Sequence, residues 1–284
     1  MSEILYAKPV IDAELAKLKK QCQNFIDQGI IPYLKVVLVG DHPASVIYTR
    51  NKKKFCEKIG AKCDIIKLPV DTNENDFLKV VNEINNDEDV HGALIQLPLP
   101  KQLSHIDTTN LVNPKKDVDG FHSENISILY RGPQDNVLAP CTPKGVMTML
   151  DHYKIDVEGV NALVIGRSLI VGKPMALMLT NRNATVTLAH SKSKDIETLC
   201  KNADIIISAC GIPKFLKKSY LRTDKSQTII DVGISRLDDG TLSGDADFNN
   251  IKEDVKAITP VPGGVGPMTI FSVAQNLLHA INNL

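Results

Sequence analysis

The sequence contains no tryptophan, and aromatic residues make up only 5% of it. Its six cysteines (Cys22, Cys56, Cys63, Cys141, Cys200, Cys210) form no Cys-x-x-Cys pair. They read as free thiols of a reducing cytosol, not as a disulfide framework. The seven histidines have no His-Glu-x-x-His or other ligand spacing, so no metal is expected. Neither charge sign dominates: 33 basic residues face 33 acidic ones with no long block of either. That removes the electrostatic case for nucleic acid. Apolar runs are strand-sized and broken by Lys or Pro, so none spans a membrane. Met1 to Leu5 lack the charged and apolar regions of a signal peptide. There is no internal repeat and no low-complexity segment. What remains is a 284-residue chain, 43% hydrophobic, with material for one large or two modest domains.

The first half alternates. Apolar positions 11, 15, 18, 22 and 25 predict a helix over Val10 to Phe25, ended by Gly29. Strands are expected at Leu34–Val39, Asp64–Leu68 and Gly92–Leu97, and helices at Ala44–Ile59 and Asp76–Ile84. Strands alternating with helices imply parallel βαβ units. Residues 98–140 lose that rhythm; rich in Pro, Asn, Asp and Gly, they are expected to form loops. A helix near Pro143–His152 leads to strands near 160–165, 185–189, 204–208 and 228–232. Gly211-Ile212-Pro213 reads as a turn, and the chain closes on a helix from Thr269 to Ile281. The isomer of the Leu99–Pro100 bond is left open.

The most informative run is Gly166-Arg167-Ser168-Leu169-Ile170-Val171-Gly172-Lys173-Pro174. It joins the strand-like Ala162–Ile165 to a helical run from Met175. Strand, glycine turn and helix present backbone N–H groups to a phosphate. A P-loop is excluded, because five residues separate the glycines and Pro174 stands where a hydroxyl should follow the lysine. The strict Gly-x-Gly-x-x-Gly spacing also fails, and an ordinary strand-to-helix turn competes. The next strand, Ala184–Ala189, ends in His190-Ser191-Lys192-Ser193-Lys194. An NAD site usually carries an acid there. Hydroxyls, lysines and Arg167 suit a 2′-phosphate instead, so NADP is expected over NAD.

Four first-half residues are candidates for chemistry. Tyr48 and Lys52 lie four apart and share a helix face. A lysine beside an apolar stripe suits acid–base work, although Lys52, Lys53 and Lys54 also read as a solvated run. Gln96 ends a strand, where ligands of parallel sheets collect. Asp119, before Gly120, reads as a turn residue or as a ligand to an N–H-rich heterocycle. Cys141 is a possible nucleophile, but a small buried residue at a helix start fits it better. Gly263, Gly264 and Gly266 would let backbone approach a flat ligand.

Five segments in order then resemble the bifunctional methylenetetrahydrofolate dehydrogenase/cyclohydrolase family. They are Tyr48-Thr49-Arg50-Asn51-Lys52, Gln96-Leu97-Pro98-Leu99-Pro100, Lys116-Asp117-Val118-Asp119-Gly120-Phe121, Gly166-Arg167-Ser168 through Pro174, and Pro260 through Thr269. The resemblance implies an α/β fold with two domains around a cleft. A folate-binding catalytic domain would span 1–140, with the C-terminal helix 269–284 packing back on it. A Rossmann-like NADP-binding domain would span 141–268. By similarity, Lys52 is the principal catalytic group, Tyr48 packs on the aminobenzoate ring, Gln96 bonds Lys52, and Asp119 binds the pterin. Leu97, Pro262, Gly263, Gly264, Thr269 and Ile270 would complete the folate site, the 262–270 loop lying over it. Gly166, Arg167, Ser168, Ser191 and Ile234 would line the NADP site.

The implied activities are NADP-dependent oxidation of 5,10-methylenetetrahydrofolate and hydrolysis of the methenyl product to 10-formyltetrahydrofolate. This oxidoreductase and hydrolase pair belongs to one-carbon metabolism and supplies purine biosynthesis. Relatives are commonly cytoplasmic homodimers. The length matches the two-activity form, without room for a fused formate ligase. Two rivals stay open: another NADP-dependent dehydrogenase with a separate substrate domain, and a non-catalytic nucleotide-binding relative.

Overall fold

The structure, a computed structural model, describes residues 2–132 and 137–283. Part of the expected 98–140 loop region, residues 133–136, and the terminal Met1 and Leu284 lie outside the described residues. The chain opens with β1 (Glu3–Ile4) and α1 (Ala7–Asp27). It continues through β2 (Tyr33–Val39), α2 (Pro43–Ile59), β3 (Lys62–Leu68), α3 (Glu74–Asn86), β4 (Gly92–Ile95) and α4 (Ser123–Tyr130). Then follow α5 (Cys141–His152), β5 (Asn161–Ile165), α6 (Gly172–Thr180), β6 (Thr185–Ala189), α7 (Ile196–Asn202), β7 (Ile205–Ser208) and β8 (Thr228–Asp231). A short hairpin, β9 (Ser235–Arg236) and β10 (Leu242–Ser243), leads to α8 (Phe248–Ile251), β11 (Ala257–Ile258) and α9 (Val265–Ile281).

Two compact units result. One comprises residues up to Asp12 with Thr142–Thr269; the other comprises Ala13–Cys141 with Ile270–Leu284. The N-terminal residues thus group away from the 1–140 segment to which the sequence reading assigned them. The cause is strand pairing: β1 lies parallel to β11, with Glu3 opposite Ala257. A two-residue strand has no periodicity by which to announce itself.

In the Ala13–Cys141 unit, three parallel strands run in the order β3-β2-β4. Their β-branched and apolar residues pack against Phe77, Val81 and Ile84 of α3, the face expected from their spacing. Asn73 caps α3, its side chain accepting from the Asp76 amide. Beyond β4, residues 116–118 run beside its first residues: the Ala93 amide donates to Lys116 O, and the Val118 amide to Ala93 O. This partial fourth strand carries the chain past the end of β4. The region expected to be loops also contains α4, whose first turn His122 caps by accepting from the Glu124 amide. Eight residues span little more than two turns, too short a run to establish a helical period.

In the other unit six parallel strands run in the order β1-β11-β8-β7-β5-β6. The chain moves from β5 to β6 on one side and then to β7 on the other. This reversal creates a switch point at the carboxyl ends of β5 and β7, where open α/β sheets bind ligands. The core strands are wholly buried, which explains why Ile205–Ser208 and Thr228–Asp231 read as continuous runs without alternation. Among the described residues the cis peptides are Leu97–Pro98 and Val261–Pro262, so Leu99–Pro100 is trans. Among the described residues, no helix is long and apolar enough to cross a membrane.

Candidate active site

The buried row of α2 is Ser45, Thr49, Lys52, Cys56 and Ile59. Lys52 therefore occupies an inward position of the helix and is only 5% exposed, whereas Lys54, two residues on, is in solvent. Periodicity alone did not say which lysine of the run faces in. Lys52 Nζ donates to Gln96 Oε1 at 3.2 Å. It lies 3.9 Å from Asp119 Oδ1. Gln96 directly follows β4, and its Nε2 donates to Leu97 O at 2.9 Å, which orients the amide with its oxygen toward the lysine. Ser45 Oγ donates to the same carbonyl. Sequence reading passed over Ser45, because a serine in the first turn of a helix carries no signal of its own.

The two aspartates of Lys116-Asp117-Val118-Asp119-Gly120 divide the work. Asp117 is 4% exposed and serves its own turn: Oδ1 accepts from the Gly120 amide, and Oδ2 from the His122 amide and Asn125 Nδ2. Gly120 has φ +75°, and a Cβ there would meet the Ala139 carbonyl carbon at 2.4 Å. Asn276 of α9 donates to both Val118 O and Ala139 O at 2.8 Å, holding the segment from outside. Asp119 is left to face Lys52. Burial pushes its carboxyl above the usual range, and the Lys52 charge partly offsets this. Tyr48, one turn before Lys52, is half-buried, and burial raises its phenol. Cys141 Sγ donates to Val118 O, so this thiol is a buried packing group.

Burial lifts the Asp117 carboxyl to about 6, with its hydrogen bonds opposing the rise. The unfolded value is about 3.9. The folded state therefore binds the proton more tightly, and this group's contribution to stability falls as pH rises from about 4 to about 6. Melting temperature is expected to decline more steeply across that window in the wild type than in Asp117→Asn. Parallel pH profiles of the two proteins by calorimetry check this.

The second candidate site lies at the switch point of the six-stranded sheet. Gly166 directly follows β5 with φ +126°, and a Cβ there would sit 2.2 Å from Ala209 O beyond β7. A Cβ on Gly172 would sit 2.0 Å from Gly166 O. Only glycine permits both close approaches. The amides of the first turn are partly spoken for: Ser168 Oγ accepts from Val171 N and Gly172 N, and Ser168 O from Lys173 N. Ser168 shapes the turn, and the exposed Arg167 stands beside it. After β6, Ser191, Lys192 and Lys194 are exposed. The first carboxylate is Asp195, and it caps α7 by accepting from the Thr198 amide. Ile234, after β8, is 47% exposed.

Of the remaining expected residues, Pro262, Gly263 and Gly264 form a turn in this same unit, with Gly263 at φ +104°. Thr269 Oγ1 pairs with Thr142 Oγ1 at 3.0 Å. The segment expected to be a 262–270 loop is helical from Val265 onward. Pro267 is tolerated in that first turn because its missing N–H would have no partner there. Ile270 belongs to the unit that carries Lys52.

One unit with an inward-facing lysine held by an amide and a carboxylate, and another with a glycine turn at a parallel-sheet switch point, define a two-domain nucleotide-dependent enzyme of acid–base type. Residues 5–119 match the catalytic domain of tetrahydrofolate dehydrogenase/cyclohydrolase, and residues 140–284 match its NAD(P)-binding domain. The chain is 46% identical over 280 residues, 98% of each protein, to the bifunctional protein FolD of Pediococcus pentosaceus. It is similar to the crystal structure of the bifunctional enzyme FolD, methylenetetrahydrofolate dehydrogenase/cyclohydrolase, from Campylobacter jejuni. That match has a TM-score of 0.93 at 40% identity and covers all of both chains. The Trypanosoma brucei N5,N10-methylenetetrahydrofolate dehydrogenase-cyclohydrolase, complexed with NADP cofactor and inhibitor, matches with a TM-score of 0.91 at 29% identity over 99% of this chain and 98% of that one. The chain belongs to the tetrahydrofolate dehydrogenase/cyclohydrolase family.

Proposed function

We propose that this protein oxidises 5,10-methylenetetrahydrofolate with NADP and hydrolyses the resulting 5,10-methenyl cation to 10-formyltetrahydrofolate, in one-carbon metabolism. The observation that carries the reading is the buried Lys52 amine between Gln96 and Asp119. The glycine turn fits a dinucleotide, since Gly166 and Gly172 lack the Cβ atoms that would fill it. Gly166, Arg167, Ser168, Ser191 and Ile234 would hold the cofactor. Arg167 and the hydroxyls and lysines after β6 would meet a 2′-phosphate where no carboxylate repels it. When bound, NADP accepts the hydride that leaves the methylene carbon.

The product cation is already electrophilic, so hydrolysis needs a placed water and proton transfers. The Lys52 amine takes a proton from that water as its oxygen bonds to the methenyl carbon. The same proton goes to N5 as the carbon–N5 bond breaks, and the hydroxyl on that carbon gives up its own proton to solvent as it becomes the C=O of the formyl group on N10. Gln96 Oε1 fixes the direction of the amine throughout. Asp119 compensates the ammonium form and accepts from the pterin N–H groups, while Tyr48 stacks on the aminobenzoate ring. Leu97 and Ile270, in the same unit as Lys52, add to the folate contacts.

The product's role in purine biosynthesis, a cytoplasmic location and a homodimer belong to the same reading. All six cysteines are free, as suits a reducing compartment. The β6 edge of the large sheet exposes Thr185, Thr187 and Leu188 and carries neither Lys nor Pro, the usual guards of an open edge. A light-scattering mass of one 31.1 kDa chain would remove the dimer.

The activity is tested by a spectrophotometric assay with methylenetetrahydrofolate and either NADP or NAD. Arg167→Ala is expected to raise KM for NADP about tenfold or more and leave KM for NAD within about twofold, the loss of one charge-assisted phosphate contact. Unchanged NADP affinity in that variant would overturn the cofactor assignment. Binding of NADP with no folate turnover would leave a non-catalytic relative.

A further inference from the structure

Two fully buried carboxylates sit beyond β8 and β10, outside every group so far given a role. Asp231 ends β8 and is 2% exposed; Asp245 follows β10 and is 0% exposed. Asp231 Oδ1 accepts from the amides of Gly233 and Asp245, and Oδ2 from the amide of Ala246. Asp245 Oδ2 accepts from the amides of Cys210 at 2.7 Å and Gly211 at 3.1 Å, and from Ser208 Oγ at 3.4 Å. Asp245 Oδ1 has no hydrogen-bond partner among the described residues.

The neighbouring backbone is shaped around these groups. A Cβ on Gly233 would lie 2.1 Å from Asp245 Oδ1, and one on Gly244 would lie 2.0 Å from Asp231 Oδ2. Asp245 is also fixed from behind: the Leu216 amide donates to its carbonyl, and the Lys214 amide to Gly244 O. Burial and the nearby Asp245 charge raise Asp231 to about 7, with the amide donors opposing. Two buried like charges oppose folding unless their hydrogen bonds compensate. Their donors are the last residue of β7, the turns after β7 and β8, and the segment after β10.

We propose that Asp245 is a positioning residue for the dinucleotide. Its carboxylate holds the Cys210–Gly211 turn after β7, and its own amide shares Asp231 Oδ1 with the amide of Gly233, which links that turn to the Gly233–Ile234 turn after β8. Those turns flank the switch point, so the cofactor meets a surface assembled in advance. Asp231 holds Asp245 by its amide and is the second half of the same clamp. The inference rests on the reading that the dinucleotide lies across the carboxyl ends of these strands. Asp245 itself does not touch the cofactor.

The test uses fluorescence titration with NADPH, which needs no turnover, alongside cyclohydrolase assays without nucleotide. Asp245→Ala is expected to raise the NADPH dissociation constant and KM for NADP about tenfold or more, with dehydrogenase kcat within about threefold. Cyclohydrolase turnover stays within about twofold in the same preparation, since its acid–base groups lie in the other unit. Asp245→Asn, whose Oδ1 still accepts from both amides, restores binding to within about threefold. Asp245→Ser is read in the same way should the alanine variant not fold. NADPH affinity unchanged in Asp245→Ala, or lost only in step with cyclohydrolase activity, overturns the proposal. Gly166→Ala separates the two levels. If it too leaves NADPH binding intact, the placement of the cofactor is wrong; if it alone abolishes binding, the placement stands and the role of Asp245 falls.

Discussion

Lys52→Met is expected to lower cyclohydrolase kcat by about a thousandfold, within the range that a placed general acid–base group supplies. Methionine keeps an unbranched apolar stem of similar length, so the buried row of α2 stays filled and the cost in packing is small. What disappears is the amine to which the proposed mechanism gives the proton transfer between water and N5. Gln96 Oε1 loses its donor, and Asp119 loses the charge that offsets its burial. Asp119 then takes up a proton at higher pH, which weakens its hold on the pterin as an acceptor. The decay of methenyltetrahydrofolate absorbance measures the effect, and NADPH titration shows that the nucleotide unit is intact. Hydrolysis at the wild-type rate would remove Lys52 from the mechanism.

Gly166→Ala is expected to weaken NADP binding by about 100-fold, close to 2.7 kcal/mol at about 1.4 kcal/mol per decade. Two penalties act together. The φ of +126° is strained for any residue with a Cβ. The added methyl would also meet Ala209 O at 2.2 Å, and that atom is backbone held at the end of β7, not a side-chain tip able to swing away. The turn must move, carrying Arg167 and Ser168 with it. Cyclohydrolase activity is expected to survive within about twofold, because Lys52, Gln96 and Asp119 belong to the other unit. A dissociation constant for NADPH within twofold of wild type would show that this turn is not the phosphate site.

The strands and most helices were legible because each obeys a local rule. Apolar spacing at 77, 80, 81 and 84 predicts one face of α3, of which Phe77, Val81 and Ile84 are buried, and short apolar runs mark β5 to β8. Strands β1 and β11, of two residues each, are too short to show a period, and β1 exists only by pairing with β11 across more than 250 residues of chain. Helix α4 was hidden in a segment whose composition suits turns. Val265 begins α9 four residues earlier than the apolar run suggested, because Gly266 and Pro267 read as breakers yet sit in a first turn that tolerates them.

The site divides along the same line. The alternation of strands and helices, the acid-free turn after β6 and the Tyr48–Lys52 spacing determined the parallel α/β class, the preference for NADP and a short set of catalytic candidates. These are properties of neighbours along the chain. Only the tertiary structure buries Lys52 and leaves Lys54 in solvent, assigns Asp117 to its own turn and Asp119 to the lysine, and brings Asp231 and Asp245 together. Each of those outcomes depends on which face of a helix is covered and which amides a buried carboxylate can reach. Desolvation and hydrogen-bond geometry decide such matters between segments that the sequence keeps far apart.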